Sequence, residues 1–320
     1  MFNKNVKVID CTIRDGGLIN KWQFSKEMVR GVYKALSDAG IDYMELGYRA
    51  STKMFPPGEF GPWRFTTDED VLEIIDGVKS DMKLGVMVDI GRVEPDDIKP
   101  ADESPVKFIR VATYVKDIDK AIWLANHVHE KGYESFINVM AISTVNDYTL
   151  MNALKQVEAE SHVSAVNVVD SYGSLYPVEV SHLTGLFRTA LKTKGVGFHG
   201  HNNLQLGFAN TIQAVHDGAA FCDATISGIG RAAGNCPLEL LMAWLKNPRY
   251  SLDPVLQVIQ DIFVDLRNKI EWGYLVPYMI TGVLNEHPRI GIAMRNTEDK
   301  DKYADFFRKL TTPECANMEN

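Results

Sequence analysis

The chain has 320 residues, 45% of them hydrophobic and 24% charged, which is the make-up of a globular protein and excludes disordered, collagen-like and fibrous classes. Its 34 Lys+Arg against 42 Asp+Glu leave a net charge of −8. That balance argues against nucleic acid or an anionic membrane surface as the main partner, while a local basic pocket for a small anion stays open. Four cysteines (Cys11, Cys222, Cys236 and Cys315) show no C-x-x-C spacing and are too few for a disulfide scaffold. The opening MFNKNVKVID turns polar at once, and no apolar run reaches about 18 residues, so a cytoplasmic protein with no membrane partner is expected.

In chain order, eight short runs rich in β-branched and apolar residues read as strands: Val6–Thr12, Tyr43–Tyr48, Leu84–Ile90, Phe108–Tyr114, Ser135–Ile142, Ala165–Asp170, Val196–His201 and Phe221–Ser227. Several lack alternation, as strands buried on both faces of a parallel sheet do. Helical patterns lie between them. After the first run, Val29, Val32, Tyr33 and Leu36 recur at helical spacing, with Ser25 placed to cap the start and Gly40 to stop the end. Thr67 and Asp70 make a capping-box match before a stripe of Leu72, Ile75 and Val78. Eight strands each followed by a helix predict an α/β fold, a (β/α)8 TIM barrel, over residues 1–250. A doubly wound sheet is the competing architecture, but eight unbroken units favour closure.

Two segments fall outside the repeat. Ala50–Thr66 is a long Gly/Pro/aromatic loop after the second strand, on the side where barrel active sites are built. It reads as a cover over the barrel mouth, with Lys53 and Arg64 meeting an anionic part of a substrate and Trp63 shutting out water, or else as a rim loop that only packs. The tail, 251–320, reads as a C-terminal helical extension packed on the barrel, with a frayed, charged end.

The strongest local chemistry is Gly197-Phe198-His199-Gly200-His201-Asn202-Asn203, at the end of the seventh strand. On a strand, residues i and i+2 share a face, so both imidazoles can converge on one metal ion. His127-Val128-His129 is a control: it lies in a helical pattern, where i and i+2 diverge, and reads as surface. The first strand ends in Arg14-Asp15-Gly16-Gly17, a charged pair suited to a barrel mouth. Strands one and eight adjoin in a closed barrel and strand seven is one further, so two histidines and one carboxylate can share a site that leaves positions open for substrate. After the eighth strand comes Gly228-Ile229-Gly230-Arg231-Ala232-Ala233-Gly234-Asn235. It matches G-x-G-x-x-G/A, yet it closes a βα series where a dinucleotide fingerprint would open one. A tight turn and an anion-binding backbone both remain open for it.

Together these segments resemble the DRE-TIM metallolyases, across roughly residues 5 to 245. The family's D-x-T-L-R-D-G is here Asp10-Cys11-Thr12-Ile13-Arg14-Asp15-Gly16, its H-x-H-N-D/N is His199 to Asn203, and its G-x-G-x-x-x-G-N-x-x-x-E runs from Gly228 to Glu239. Val111-Ala112-Thr113 and Val168-Val169-Asp170-Ser171-Tyr172-Gly173 resemble motifs of the 4-hydroxy-2-oxovalerate aldolase branch. The resemblance implies Asp15, His199 and His201 as ligands of a divalent metal, Mn²⁺ or Mg²⁺. It implies Arg14 and Ser171 beside the oxo and carboxylate oxygens of a small 2-oxoacid, and C–C bond chemistry through a pyruvate-like enolate. Asn235 and Arg64 join Ser171 as candidate substrate-binding residues. A homo-oligomer and an aldehyde dehydrogenase partner are compatible with that branch.

One position departs. The branch places a catalytic His three residues after the metal Asp, and here that position is Leu18. Glu45, Tyr48, Tyr278 and His287 are the candidates to move the proton instead; Glu45 and Tyr278 join Arg14 as the catalytic set. Three alternatives stay open: a barrel that binds without turning over, a Claisen-type acyl-CoA lyase or synthase, and a two-His-one-carboxylate iron oxygenase.

Overall fold

The computed structural model describes residues 5–312. Eight parallel strands pair in sequence order and close on themselves: β1 (Lys7–Asp10), β2 (Tyr43–Tyr48), β3 (Lys83–Asp89), β4 (Phe108–Thr113), β5 (Glu134–Val139), β6 (Ala165–Asp170), β7 (Gly195–Gly200) and β8 (Phe221–Ala224). The expected (β/α)8 barrel is the observed fold. Its outer layer holds α1 (Thr12–Asn20) and α2 (Lys26–Asp38) before β2, α3 (Asp68–Ile75), α4 (Ile118–Glu130), α5 (Asp147–Glu160), α6 (Pro177–Ala190), α7 (Gly207–His216) and α8 (Leu238–Leu245). The repeat is less regular than the sequence suggests. β3 is followed by one 3₁₀ turn, Pro95–Asp97, in place of an α-helix, whereas β1 is followed by two helices.

The local signals act as expected in α2. The Ser25 hydroxyl accepts from the Met28 N–H, Val29, Val32, Tyr33 and Leu36 are buried, and Gly40 adopts φ +75° behind the last turn. In α3 the Thr67 hydroxyl caps Asp70 N–H, but the buried stripe is Val71 and Ile74, not Leu72, which is 55% exposed. The helix stops at Ile75, and Val78 lies beyond it.

The barrel interior climbs in two-residue steps from an apolar base to a polar middle. Tyr43, Phe108, Phe136 and Phe221 meet edge to face at the base. Two residues on from three of them stand Glu45, Arg110 and Asp223, buried and charged, with Asn138 and Asn167 beside them. Gly197 of β7 leaves room for that layer, since a Cβ there would fall 2.1 Å from Asn167 Oδ1. One further step along β7 stands His199.

The extension contains α9 (Asp253–Val258), α10 (Val264–Leu266), α11 (Val276–Val283), α12 (Arg289–Arg295) and α13 (Tyr303–Thr311). A π-helical turn, Ile259–Phe263, joins the first two, and α9 packs against α2. The end expected to fray is helical through Thr311, because Phe306 of α13 buries itself against Ile280 and Met294. Cys315 and the last residues lie outside the described part. No helix among the described residues is long and apolar enough to cross a membrane.

Candidate active site

The segment carrying Arg14 and Asp15, expected at the end of the first strand, lies in the first turn of α1. The Asp10 carboxylate accepts from the Thr12 N–H at 3.1 Å and from its hydroxyl at 2.6 Å, so the chain leaves β1 directly into α1. Burial pushes the Asp10 carboxyl up to about 7. The paired glycines that follow Arg14 and Asp15 lie inside α1, and packing explains Gly17. A Cβ on Gly17 would stand 1.9 Å from the Trp22 indole, whose N–H donates to the Arg14 carbonyl at 3.0 Å. This close approach fixes the turn that aims Arg14 and Asp15 into the barrel mouth.

His199, His201 and Asp15 offer ligand atoms that all lie within 4.8 Å of one another, all three residues being buried. The His199 ring is oriented from behind. Its Nδ1 lies 2.8 Å from Asp223 Oδ2, which also accepts from Arg110 Nη2 at 2.6 Å. Although burial pushes the other way, Arg110 and His199 hold the Asp223 carboxyl well below the usual range. An ionised Asp223 sets the tautomer with the proton on Nδ1, so Nε2 carries a lone pair. That Nε2 faces Asp15 Oδ2 at 3.3 Å with no hydrogen-bond partner, and His201 Nδ1 is buried and unpartnered too. An unpartnered imidazole lone pair set against a carboxylate oxygen, with a second buried imidazole within the same reach, is what a cation bridges, so these residues fit a divalent metal. Burial, with His199 and Arg231 nearby, holds His201 well below its ordinary value and therefore neutral, as a ligand must be. Cys11, His199 and Asp223 form a second grouping within the same reach. It suits a metal less well, since burial pushes the Cys11 thiol up and Asp223 is occupied by Arg110.

The three candidate ligands open onto a cavity of about 740 Å³. Arg14, Ser171 and Arg64 line it, as does Leu18. Arg14 donates Nε to Glu45 Oε2 at 2.7 Å and is ion-paired with Asp15. Ser171 Oγ accepts from the Ala141 N–H at 2.9 Å, which leaves its own hydrogen to donate. Arg64 is 4% exposed, its guanidinium carbon 4.1–4.7 Å from the ring centroids of Trp22, Tyr48 and Phe55 and its Nη2 4.0 Å from Asp89 Oδ2.

Other expected site residues fall elsewhere. Glu45 stands below the cavity in the polar layer, held by Arg14 and Arg110, so it positions Arg14. Asn235 lies behind Asp15, donating Nδ2 to Asp15 Oδ2 and to the Ile229 carbonyl, both at 3.1 Å; it orients the carboxylate and does not line the cavity. Tyr278 packs on Ala232 and Ala233, turns its hydroxyl to Glu271 and lies off the cavity wall. In the long loop, Trp63 is fully buried with its N–H on the Phe24 carbonyl, and Lys53 is exposed beside Glu94. Phe55 and Phe60 are the loop aromatics that reach the cavity.

The Gly228–Glu239 turn is closed by its own bonds. Its N–H groups at Gly228, Ile229, Gly234 and Asn235 are taken by chain carbonyls, and Ser227 N–H by Glu239. Gly234, at φ +78°, is needed because a Cβ would meet the Gly228 carbonyl at 2.0 Å. The turn places Arg231 and Asn235. His127 stacks on Trp123 and His129 is exposed on α4, away from the site.

Sequence reasoning missed Arg110 and Asp223. A lone charge in each of the apolar strands FIRVAT and FCDA was the available signal, since a buried charge needs a partner. It also missed Arg289, which lines the cavity beside His287, a residue of the extension that the sequence did offer.

Comparisons with known proteins agree with this geometry. The HMGL-like family model matches residues 5–263. A 4-hydroxy-2-oxovalerate aldolase of Pelotomaculum thermopropionicum is 33% identical over 258 residues, 80% of this chain and 74% of that one. An oxaloacetate decarboxylase of Mycobacterium tuberculosis is 31% identical over 241 residues, 75% of this chain and 69% of that one. Among solved structures, the N-terminal domain of a Bacteroides vulgatus protein described as an aldolase superposes with a TM-score of 0.79 at 32% identity, covering 93% of this chain and 100% of that one. The HMG-CoA lyase of Brucella melitensis shares the fold at 16% identity, with a TM-score of 0.65 over 82% of this chain and 99% of its own. A match running through all eight strands, on a barrel whose mouth gathers Arg14, Asp15, His199 and His201, places the chain in the HMGL-like family of lyases, to which it belongs.

Proposed function

We propose that this enzyme is a divalent-metal-dependent aldolase that breaks or forms the C–C bond beside a 2-oxoacid, through a pyruvate-like enolate. The observation that carries this reading is the convergence of His199, His201 and Asp15 beside Arg14 in one cavity, with His199 Nε2 unpartnered and 3.3 Å from Asp15 Oδ2. Asp15, His199 and His201 would hold Mn²⁺ or Mg²⁺, which supplies Lewis acidity toward the keto and carboxylate oxygens of the substrate.

The chain's own groups do the rest. Arg14, fixed by Glu45 and Asp15, presents a preorganised cation to the oxygen where enolate charge develops. Ser171 donates its hydroxyl hydrogen to the substrate's oxygens. Arg64 and Asp89, side by side, present a donor and an acceptor to the aldehyde half. Leu18 moves no proton, so a wall group must take the one on the 4-hydroxyl. Burial pushes the Asp89 carboxyl up, toward the range a general base needs, with Arg64 and Arg92 opposing. Asp117, the other wall carboxylate away from the metal ligands, is tied to Lys120, which lowers its proton affinity. Asp89 is therefore the proton acceptor in this reading.

The sequence relatives named as aldolases support the aldol reading. The test is pyruvate release from 4-hydroxy-2-oxopentanoate with and without Mn²⁺. Metal-dependent release, lost in Asp15→Ala and retained in His127→Ala, is expected. Binding of substrate with no release would leave a barrel that only binds.

A further inference from the structure

Seven lysines and arginines but three aspartates line the cavity, in a protein whose overall charge is −8. The three acids are already engaged. Asp15 pairs with Arg14, Asp89 lies 3.4 Å from Arg92 and 4.0 Å from Arg64, and Asp117 lies 2.8 Å from Lys120. Arg231, Arg289 and the exposed Lys116 remain, and the two arginines face the same end of the cavity as His287. Among the described residues neither has a carboxylate within 4.0 Å. Arg231 comes from the turn after β8. Its Nη2 reaches only the Ser171 carbonyl, at 3.2 Å, and its Nε is buried with no partner. Arg289 opens α12, and its side chain is exposed.

Two neutral groups complete the cluster. The Arg289 backbone N–H donates to His287 Nδ1 at 3.1 Å, so the proton of that ring sits on Nε2 and is free to be donated. The His287 ring lies 5.4 Å from the ring of Tyr172, a second donor on the cavity wall. Burial, with Arg231 and Arg289 beside it, lowers His287 to about 4, so the ring is neutral at pH 7. The one acid at this edge, Glu286, is exposed, off the cavity wall and ion-paired with neither arginine. Two cations and two neutral donors thus face one end of the cavity with no acceptor among them. A partly buried guanidinium, Arg231, with a second cation beside it and no carboxylate within 4.0 Å raises the free energy of the empty site, and an oxyanion offsets that cost.

We infer that Arg231, Arg289, His287 and Tyr172 form a subsite for a terminal oxyanion, a carboxylate or a phosphate monoester, borne by the aldehyde half of the substrate. The inference rests on the aldolase reading for what occupies the Arg14 end. It makes the acceptor a short anionic aldehyde and gives the C-terminal extension a part in substrate choice, since two of the four groups come from it. Arg64 is the weaker anion receptor, because Asp89 already answers its charge.

The test is isothermal titration of the Mg²⁺-loaded enzyme, with and without saturating oxalate at the Arg14 end, using inorganic phosphate and, separately, succinate as probes. The wild type should bind at least one of them in the presence of oxalate. Arg289→Gln, which breaks no bond in the fold, and Arg231→Gln should each weaken it tenfold or more, and Lys53→Gln, on the exposed loop, should not. Tighter phosphate binding would assign a phosphate end, and tighter succinate binding a carboxylate end. No binding of either probe by the wild type, or unchanged affinity in both arginine variants, would overturn the subsite. An enzyme that binds the probe yet releases no pyruvate from any 4-hydroxy-2-oxoacid would refute the aldolase reading and leave the subsite standing.

Discussion

Asp223→Asn is the perturbation whose size the structure sets most closely. The carboxylate is 1% exposed and has two partners, His199 Nδ1 at 2.8 Å and Arg110 Nη2 at 2.6 Å. The amide has nearly the same shape but no charge, so two effects separate. His199 loses the anion that fixes its tautomer and raises its basicity. Removing such a partner costs about tenfold to a hundredfold in metal affinity, or ~1.4 to ~2.7 kcal/mol. Arg110, fully buried, keeps the Asn138 amide oxygen at 3.1 Å and, as its one remaining carboxylate among the described residues, Glu45, whose Oε2 is 3.4 Å away. Breaking a buried ion pair on one side costs about 3 kcal/mol at the low end of the usual range, and the surviving Glu45 contact favours that end. Equilibrium dialysis against Mn²⁺, well below the unfolding temperature, reads the first effect, and urea unfolding of the metal-free protein reads the second. A variant that binds Mn²⁺ as tightly as wild type would refute the proposed role of Asp223 in orienting His199. Unchanged unfolding would show that Arg110 does not depend on it.

Four further outcomes follow from the same contacts. Arg14→Lys keeps charge but loses the fork shared by Glu45 and Asp15, so pyruvate release should fall on the order of 10²-fold with bound Mn²⁺ unchanged, as measured by steady-state kinetics and metal analysis. Asp89→Asn should lower kcat for cleavage while leaving deuterium exchange at the pyruvate methyl intact, because only the first step needs the 4-hydroxyl proton removed. Gly17→Ala puts a Cβ 1.9 Å from the Trp22 indole and should cost about 1–3 kcal/mol in thermal unfolding, with a raised KM because Trp22 lines the cavity. His287 titrates near 4 when folded and near 6.5 when unfolded; the unfolded chain binds the extra proton between those values. Its contribution to stability is therefore full above pH 6.5 and lost as pH falls toward 4. An NMR titration of the His287 ring should find it neutral down to about pH 4 and shifted upward when phosphate is bound.

The barrel and the grouping of Asp15, His199 and His201 were legible in the sequence for local reasons. Unbroken apolar strands mark a parallel sheet, and the two-residue spacing of His199 and His201 places both on one face of β7. What was not legible depends on contacts distant in sequence. Arg14 to Gly17 read as the end of the first strand because nothing local shows that the Trp22 indole lies against Gly17 inside a helix. Leu72 competes with Val71 and Ile74 for the buried face of α3, and only the neighbouring core decides which residues fill it. Glu45, Asn235 and Tyr278 lie in the expected neighbourhood, with side chains turned in directions no local pattern encodes. Each carries a polar group that could reach a substrate, yet each is turned to a partner on another element or in the extension: Arg110, Asp15 and Glu271. Arg289 was missed and His287 could pass for a solvated loop residue, because the path of the extension back to the mouth has no local signature.

The central claim is that Asp15, His199, His201 and Arg14 stabilise an enolate derived from a 2-oxoacid. Deuterium exchange at the methyl group of pyruvate in D₂O, followed by proton NMR, tests it without any assumption about the aldehyde. The account predicts loss of the methyl signal in the presence of Mn²⁺ or Mg²⁺, abolished by chelation and in His199→Ala and retained in His127→Ala. Exchange indifferent to chelation, or no exchange by a protein that holds its metal, would contradict it.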